Sequence, residues 1–167
     1  MMSAERPLNT DDAWRFITQI YGNDDVKEAC LTLQDEYGVD VSLLLFLVWL
    51  GHEGRVVPNM DMMVEIDGVI AGWRENVVKV LRNLRRSLKM MDEEGALRIS
   101  RMILSSELEA EREALGPLVR VANMMASASF GKPDTDMRHN VDLYLMFRDV
   151  PLAAKALTDR VVQGVRS

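Results

Sequence analysis

The sequence predicts an all-α protein, a compact bundle of about six to seven helices around a short, fully apolar central helix. The first observation behind this prediction is the segment 41–50, VSLLLFLVWL, in which every residue except Ser42 is apolar. It is about half as long as the ~20 residues needed to cross a bilayer, so other parts of the chain must cover it. The second is that the remaining apolar residues recur at helical spacing and nowhere alternate as in a half-buried strand.

Length and composition indicate an ordinary globular protein. The chain has 167 residues, 48% hydrophobic and 28% charged, which suits a single domain. Its only cysteine, Cys30, excludes an intramolecular disulfide and a cysteine-based zinc site within one chain. The charged N-terminus lacks the apolar centre of a signal peptide, and no segment reaches membrane-spanning length. We therefore expect a cytoplasmic protein without membrane insertion.

The first half of the chain predicts three helices joined by short turns. After residues 1–9, which we expect to form a disordered lead, apolar residues recur at helical spacing through residue 21 and again from 26 to 37. The central helix follows at once, and such short turns make consecutive helices neighbours in space. The residues expected to cap or end these helices are, in chain order, Thr10 or Asp11, Gly22, Asn23, Gly38, Asp40 and Gly51.

The second half predicts further helices, the most amphipathic of which has one basic side. We expect a bend near Gly68 and Gly72, because each glycine weakens a helix by ~1 kcal/mol. Pro58 and Asn59 precede the first of these helices. The predicted segments are 60–70, 73–91, 92–115, a continuation after Gly116-Pro117 to about residue 128, 136–149, and a last helix that Pro151 begins.

One segment, SASFGKPDTD at 127–136, has the composition of a linker. We place the linker itself at residues 129–135. It divides the chain into a helical core domain, residues 10–128, and a C-terminal helical pair, residues 136–167, which we expect to dock on the core.

Charge is unevenly distributed along the chain, whose net charge is −6. Residues 74–91 hold six basic residues and one acidic residue, whereas residues 1–73 hold 13 acidic and four basic residues. The basic helix could neutralise acidic neighbours inside the fold, bind a protein partner, or bind RNA or another polyanion. Nucleic acid is the least favoured partner, because this side of the helix lacks aromatic residues for base stacking. The candidate binding residues are Arg74, Lys79, Arg82, Arg85, Arg86 and Lys89.

A set of ordered motifs runs through the first two-thirds of the chain: W-x-F at 14–16, LQD-x-x-G-x-DV-x-LLLF at 33–46, WLG at 49–51 and GR at 54–55. With these motifs the chain resembles a group of small proteobacterial proteins catalogued as a domain of unknown function. The resemblance covers roughly residues 11–115. It implies a cytoplasmic helical protein and assigns no activity.

The turn before the central helix carries the polar residues best placed for chemistry. Gln34, Asp35 and Asp40 could bind a cation or act as an acid/base pair. The structural alternative is that Asp40 caps the central helix while Asp35 pairs with a basic residue such as Arg82 or Arg85. If a ligand pocket exists, we expect it here, lined by Trp14, Tyr21, Gln34, Asp35 and Trp49.

Two histidines are further candidates. His52 follows the central helix and could act as a general base, although a helix C-terminus by itself stabilises a histidine cation. Asp136, His139 and Asp142 lie one helical turn apart and could contribute metal ligands. Such sites need ligands from facing helices as well, and no Glu-x-x-His pair is present, so we predict neither a metal site nor a cofactor.

These patterns favour a non-enzymatic protein-binding or adaptor module whose partner is another protein or a second copy of the chain. No catalytic motif is complete, which argues against an enzyme. Binding would use the basic helix or methionine-containing surfaces around Met60, Met62 and Met63 and around Met124 and Met125. The alternative is a small enzyme or ligand-binding protein with a pocket near Gln34 and Asp35.

Overall fold

The structure is a computed structural model that describes residues 6–166. Within these residues it is helical and contains no strand, which confirms the predicted fold class. A π-helical segment, Arg74–Val78, joins α4 to α5, and only Ala114 separates α6 from α7, so the described residues form seven continuous helical stretches. The helices are α1 Thr10–Tyr21, α2 Asp24–Tyr37, α3 Val41–His52, α4 Met60–Trp73, α5 Lys79–Met90, α6 Glu94–Glu113, α7 Leu115–Met124, α8 Pro133–Phe147 and α9 Lys155–Gly164.

The apolar helix α3 lies at the centre of the core, as predicted. Every residue from 43 to 51 is buried. Its most extensive neighbour is α8, which contributes Met137, Val141, Tyr144 and Leu145 to the same hydrophobic core. Since each fully buried large apolar side chain stabilises the fold by ~1.5–3 kcal/mol, this one helix supplies much of the hydrophobic stabilisation.

Gly51 does not end α3, and that prediction was wrong. The helix continues to His52, and the first glycine beyond it with a positive φ is Gly54, at 75°. Gly51 lies instead where α3 crosses α8, and a Cβ atom there would overlap the backbone of Met137. Its role is to let two helix backbones approach closely, which sequence spacing alone does not distinguish from a helix stop.

The loop after α3 is held by buried polar groups of α8. The fully buried Asn140 donates from Nδ2 to the carbonyl oxygens of Leu47 (3.1 Å) and Arg55 (2.9 Å) and accepts from the Val57 N–H (2.8 Å). Its side-chain amide thus has both a donor and an acceptor role in the core, as a buried amide requires. This links α8 to the body of the molecule through hydrogen bonds as well as apolar contacts.

The predicted disordered lead is only partly within the described residues, because residues 1–5 lie outside them. Leu8 and Asn9 make defined contacts, contrary to the prediction. Leu8 is buried, and its N–H and carbonyl groups both bond the side-chain amide of Asn123 on α7, at 2.9 and 3.0 Å. Asn9, rather than Thr10 or Asp11, caps α1 by accepting from the Asp12 N–H.

Other predicted helix ends agree with the structure, while some boundaries shift. Asn23 caps α2, Gly38 ends it in the left-handed conformation, and Asn59 caps α4. Gly68 and Gly72, where a bend was expected, lie within the continuous helix α4, and the π-helical segment begins after them at Arg74. α7 ends at Met124 rather than near residue 128, and Pro133 already begins α8.

α5 and α6 form an antiparallel hairpin that extends from the body of the molecule. α5 contains no buried residue, and none of the residues 79–113 belongs to the main hydrophobic core. The two helices approach through small residues of α6, and the Ser100 hydroxyl donates to the Arg85 carbonyl at 3.1 Å. We call residues 79–113 the α5–α6 hairpin. No helix within residues 6–166 has both the length and the apolar character that crossing a membrane requires.

Candidate functional site

A groove of about 550 Å³ runs between the α5–α6 hairpin and helices α1 and α2. Its walls are mainly apolar, and a second, smaller cavity of about 270 Å³ adjoins it on the α3 and α4 side. The two share the side chains of Gln34, Ser42, Arg82, Arg86, Glu111 and Leu115 as a common wall. We call them the groove and the inner cavity. The large apolar residues of the groove include Trp14, Tyr21, Leu31, Leu45, Leu104 and Leu108.

The charged side chains of the groove are mainly basic. Five basic residues face two acidic ones, although the chain as a whole has a net charge of −6. The basic residues are Lys27, Arg82, Arg85, Arg86 and Lys89, and the acidic residues are Glu107 and Glu111. This local excess of positive charge favours an anionic occupant.

Glu107 is the buried centre of the ion pairs between α5 and α6. Arg82 Nε bonds its Oε1 at 2.9 Å and Arg85 Nε bonds its Oε2 at 2.5 Å, while Arg82 Nη2 reaches Glu111 at 3.0 Å. The Glu107 side chain is only 5% exposed, so both arginines are needed to offset the cost of burying its charge.

Glu111 lies in the wall shared by the groove and the inner cavity. Burial raises its pKa to about 7, and the nearby Glu107 charge adds to this effect while Arg82 opposes it. A carboxyl group with a perturbed pKa in a concave site is a common feature of functional sites and also of structural ion-pair networks. Here the Arg82 bond gives it a structural role in addition.

The floor of the inner cavity contains a buried triad of charges. Arg74 is 8% exposed and binds Asp40 through Nε at 2.5 Å and Asp67 through Nη2 at 2.6 Å. Asp40 also caps α3 by accepting from the Leu43 N–H at 3.1 Å, as predicted, and its own N–H donates to the Tyr144 hydroxyl. These contacts join α3, α4 and α8 beneath the cavity.

Four of the five residues predicted to line one pocket lie along the two adjoining cavities. Trp14 and Tyr21 line the groove, Asp35 lines the inner cavity, and Gln34 lines both. Trp49 is not among the lining residues. It is 2% exposed in the core, one helical turn beyond the groove residue Leu45, and its ring centroid lies 5.7 Å from that of Phe46.

Asp35 pairs with a basic residue, as the structural alternative expected, but its partner is Arg86, at 3.2 Å, and not one of the two arginines named as examples, Arg82 and Arg85. The reason is that Arg82 and Arg85 bind carboxylates of α6. His52 lies at the far end of α3 from the two cavities, where its ring is tilted by 35° against the ring of Phe16, with the ring centroids 5.1 Å apart. It is not close to Asp35 or Asp40 in the sequence-predicted site.

The three residues considered as metal ligands have separate partners. Asp136 accepts from Ser129 Oγ and the Phe130 N–H, the His139 Nε2 atom lies 2.9 Å from the Val57 carbonyl oxygen, and Asp142 pairs with Lys155. Among residues 6–166, no group of three potential metal ligands of the His, Cys, Asp or Glu type converges.

The basic side of the predicted helix is not one continuous exposed surface. Arg74, Arg82 and Arg85 are in the ion pairs described above, and Lys79 pairs with Glu75 within the same helical stretch. The carboxylates of α6 were not foreseen as partners. Glu107 and Glu111 are one helical turn apart on α6, and Arg82 and Arg85 are one helical turn apart on α5. This matched spacing of opposite charges is the signal that could have predicted the ion pairs.

The methionine surfaces expected near residues 60–63 and 124–125 are largely interior. Met63 and Met125 are buried, and of the pair at the end of α7 only Met124 is exposed. Methionine fills cores as readily as it forms surfaces, so its presence does not predict exposure. The other strongly exposed methionines include Met90, Met91 and Met102 of the α5–α6 hairpin and its turn.

Comparison with known proteins agrees with the resemblance seen in the sequence motifs. A family model described as "Protein of unknown function (DUF2390)" matches residues 12–118, which is more than half of the chain. No match is found among curated proteins or among solved structures. The matched segment includes α2 to α6, most of α1 and the first four residues of α7, and therefore both walls of the groove.

Proposed function

The chain belongs to the family described as a protein of unknown function (DUF2390), and we propose that it is a non-enzymatic protein-binding module. Its groove would hold a short amphipathic helix of a partner protein, with apolar side chains inward and acidic side chains along the edges. The observation that carries this proposal is the combination of exposed leucines and excess positive charge in one groove.

The apolar part of the argument rests on side chains that are incompletely covered. Leu31, Leu104 and Leu108 line the groove and are 39%, 41% and 45% exposed. An occupant that covers them gains ~25 cal/mol for each Å² of apolar surface removed from water. Amphipathic helices of partner proteins commonly bind in apolar grooves between helices.

The charge argument rests on the residues at the edges of the groove. Lys89 makes no ion pair with another described residue, Arg86 makes only an exposed one, and Lys27 lies over the ring of Tyr21 at 5.9 Å. These charges stay available to carboxylates of a partner. They also disfavour a basic helix, which gives the groove selectivity.

The length of the groove matches a few turns of helix. Its α6 wall runs from Leu104 to Glu111, and Leu115 extends it into α7. At 1.5 Å per residue this distance is about 16 Å, or roughly three helical turns. Three turns present apolar side chains at positions i, i+3 or i+4, and i+7.

A peptide selection tests which kind of helix the groove binds. The probe is a phage-displayed library of 16-residue helical peptides, selected in parallel on the wild-type protein and on Leu108→Glu. We expect wild type to enrich peptides with helically spaced apolar residues and flanking Asp or Glu. The enriched peptides should lose about tenfold or more in affinity for Leu108→Glu, because the new carboxylate occupies the apolar floor.

Matched controls separate the groove from general surface effects. Arg86→Glu with Lys89→Glu should weaken the selected peptides, whereas Arg120→Glu, an exposed basic position on α7, should not. Met146→Glu on α8 controls for Leu108→Glu, because Met146 is 70% exposed and lies outside the groove. Equal binding by Leu108→Glu and wild type, or enrichment of basic peptides, would contradict the proposal.

The inner cavity supports a second candidate function, a site for a small ligand near Gln34 and Asp35. Its volume of about 270 Å³ is close to the lower limit for small-molecule sites, and polar groups converge on it. A thermal-shift screen with phosphate, succinate and citrate tests it. A saturable rise in melting temperature that Asn83→Asp abolishes would favour this function, and no shift with any of them would count against it.

The proposal includes a cytoplasmic, bacterial setting, as the family resemblance implies. It is supported by the finding that no helix within residues 6–166 could span a membrane and by Cys30, a buried thiol whose pKa burial raises to about 12. A thiol of this kind is unreactive packing and needs no oxidising compartment.

A further inference from the structure

The α5–α6 hairpin has a second apolar face, directed away from the groove. It consists of Val80, Leu84 and Met91 on the α5 side and Ile99 and Met102 on α6, whose exposed fractions lie between 44% and 65%. None of these five residues lines the groove or the inner cavity. We call them the outer face. It is distinct from the binding surface proposed above.

The spacing of the outer face is that of a helix-packing seam. On α5 and its turn, Val80, Leu84, Ser87 and Met91 follow one another at intervals of four, three and four residues. On α6, Gly95, Ile99, Met102 and Ser106 have the same intervals. Intervals of three and four are those of residues that pack against a neighbouring helix, and neither seam contains a charged side chain.

The two seams are side by side in the hairpin. The Ser100 bond to the Arg85 carbonyl and the Arg82 and Arg85 bonds to Glu107 set the register, in which Leu84 lies near the middle of α6. The hairpin therefore presents two apolar seams side by side, and the α6 seam has a small residue at each end. This is the arrangement of one half of a four-helix bundle.

Charges beside the α6 seam indicate which kind of helix pair would complete the bundle. Arg98 and Glu109 are exposed, and neither makes an ion pair with another described residue. They are 11 residues apart, about three turns, so they lie on the same side of α6 as Met102. They are also nearly equidistant from the midpoint of α6. If α6 of a second copy packs antiparallel against α6 at that midpoint, Arg98 of each copy lies opposite Glu109 of the other.

We infer that two copies of this chain associate through their outer faces into an antiparallel four-helix bundle with two-fold symmetry. The two-fold axis passes near Met102 and Leu84, so that Leu84 of each copy contacts its equivalent. Two Arg98–Glu109 pairs form by symmetry at the edges. The interface is isologous, which is the commonest arrangement in homodimers.

The size of the outer face is adequate for such a dimer. α6 has 20 residues, which at 1.5 Å each is about 30 Å, and two helices side by side are about 20 Å wide. This footprint is about 600 Å², at the lower end of the ~600–1,000 Å² per partner that stable interfaces bury. The groove, on the opposite side of the hairpin, would stay open in the dimer.

Sedimentation equilibrium of the full chain over about 1 to 100 µM tests the inference directly. Wild type should be a dimer, and Leu84→Glu should be a monomer over the whole range, since the two-fold axis brings the two new carboxylates together. The control is Met146→Glu on α8, which introduces the same charge at an exposed methionine outside the outer face and should stay dimeric. A monomeric wild type, or a dimeric Leu84→Glu, would overturn the inference.

A charge exchange tests the antiparallel arrangement. Arg98→Glu and Glu109→Arg should each weaken the homodimer by about tenfold or more, because each creates two like-charge contacts. An equimolar mixture of the two variants should restore dimerisation, as both contacts in the mixed dimer then join opposite charges. Both residues are exposed, and circular dichroism melts of each variant confirm folding. If the mixture dimerises no better than the separate variants, the proposed two-fold arrangement is wrong.

Discussion

At the scale of single residues, Asp40 makes further contacts besides the helix cap that its position in the sequence predicts. One carboxylate oxygen accepts from the Leu43 N–H, the other binds Arg74, and its N–H donates to the Tyr144 hydroxyl. Arg74 is buried, so the loss of Asp40 would leave a cation with only Asp67 to balance it. Asp35, five residues earlier, makes only an exposed pair with Arg86.

The two aspartates should therefore differ sharply in their contribution to stability. We expect Asp40→Ala to lower the free energy of unfolding by about 3 kcal/mol, since it removes a helix cap and half of a buried charge network. Asp35→Ala should cost less than about 0.5 kcal/mol, as is usual for exposed ion pairs. Urea denaturation at pH 7 measures both, and equal effects would contradict this account.

Glu111 should make stability depend on pH in an unusual direction. Its pKa is about 7 in the folded protein against 4.5 for the ordinary group, so the folded state binds the proton more tightly. Tighter proton binding by the folded state adds to the free energy of unfolding. This added stability is fully present below about pH 4.5 and is lost as pH rises towards 7.

Comparison with Glu111→Gln isolates this effect, because the other titrating groups are common to both proteins. From pH 5 to pH 8, the free energy of unfolding of Glu111→Gln should rise relative to wild type by about 2 kcal/mol. Urea denaturation at pH 5, 6, 7 and 8 gives the difference. A difference that stays constant with pH would show that Glu111 ionises normally.

At the scale of helices, the molecule uses two kinds of close helix contact. α3 and α8 cross at Gly51, where only a hydrogen atom fits against the Met137 backbone. α5 and α6 approach through Ala96, Ser100 and Ala110 and add the buried ion pairs of Glu107. The first contact is apolar and central, and the second is polar and lies outside the main core.

Alanine substitutions at two helical glycines, one where α3 crosses α8 and one in α4, test whether the crossing requires a glycine. Gly51→Ala should destabilise the protein by about 3 kcal/mol or more, because the added methyl group meets backbone that cannot move aside. Gly68→Ala, in an exposed turn of α4 with open space around it, should stabilise by about 0.5–1 kcal/mol. Thermal melts of both variants provide the measurement. If Gly51→Ala is neutral, the helices can separate at little cost.

At the scale of the whole molecule, α8 is part of the central core rather than an addition to it. It covers α3, supplies Asn140 to the loop after α3, and places Tyr144 against Asp40. The hairpin has the opposite character, since it lies inside the segment matched by the family model yet contributes nothing to the main core. The segment matched by the family model and the main hydrophobic core therefore overlap only in part, since α8 belongs to the core but lies outside the match.

Removal of α8 and α9 should abolish cooperative folding. A chain truncated after residue 128 would expose the apolar surface of α3 and leave the Val57 N–H without its Asn140 partner. We expect this fragment to lack a sigmoidal urea transition and a near-ultraviolet circular dichroism signal, both of which the full chain should show. A transition as steep as that of the full chain would contradict this expectation.

Sequence reasoning was sufficient for the features that depend on local chemistry. The apolar run 41–50 required burial, helical spacing required an all-α fold, and the caps at Asn23, Asp40 and Asn59 followed from side-chain preferences. The candidate site was located in part, since Trp14, Tyr21 and Gln34 do line the groove. The helices and their caps depend on interactions within a few residues, whereas the groove required the sequence only to bring polar and aromatic residues to one end of α2 and α3.

Tertiary structure alone decided which faces of those helices meet. The identity of Gly51 as a crossing point, the pairing of Arg82 and Arg85 with α6, and the burial of Trp49 away from the groove depend on residues distant in the sequence. An amphipathic helix pattern states that a face will be covered or charged. The pattern does not predict which neighbouring helix covers that face, because many arrangements of similar helices satisfy the same pattern. Only the complete set of contacts selects one arrangement.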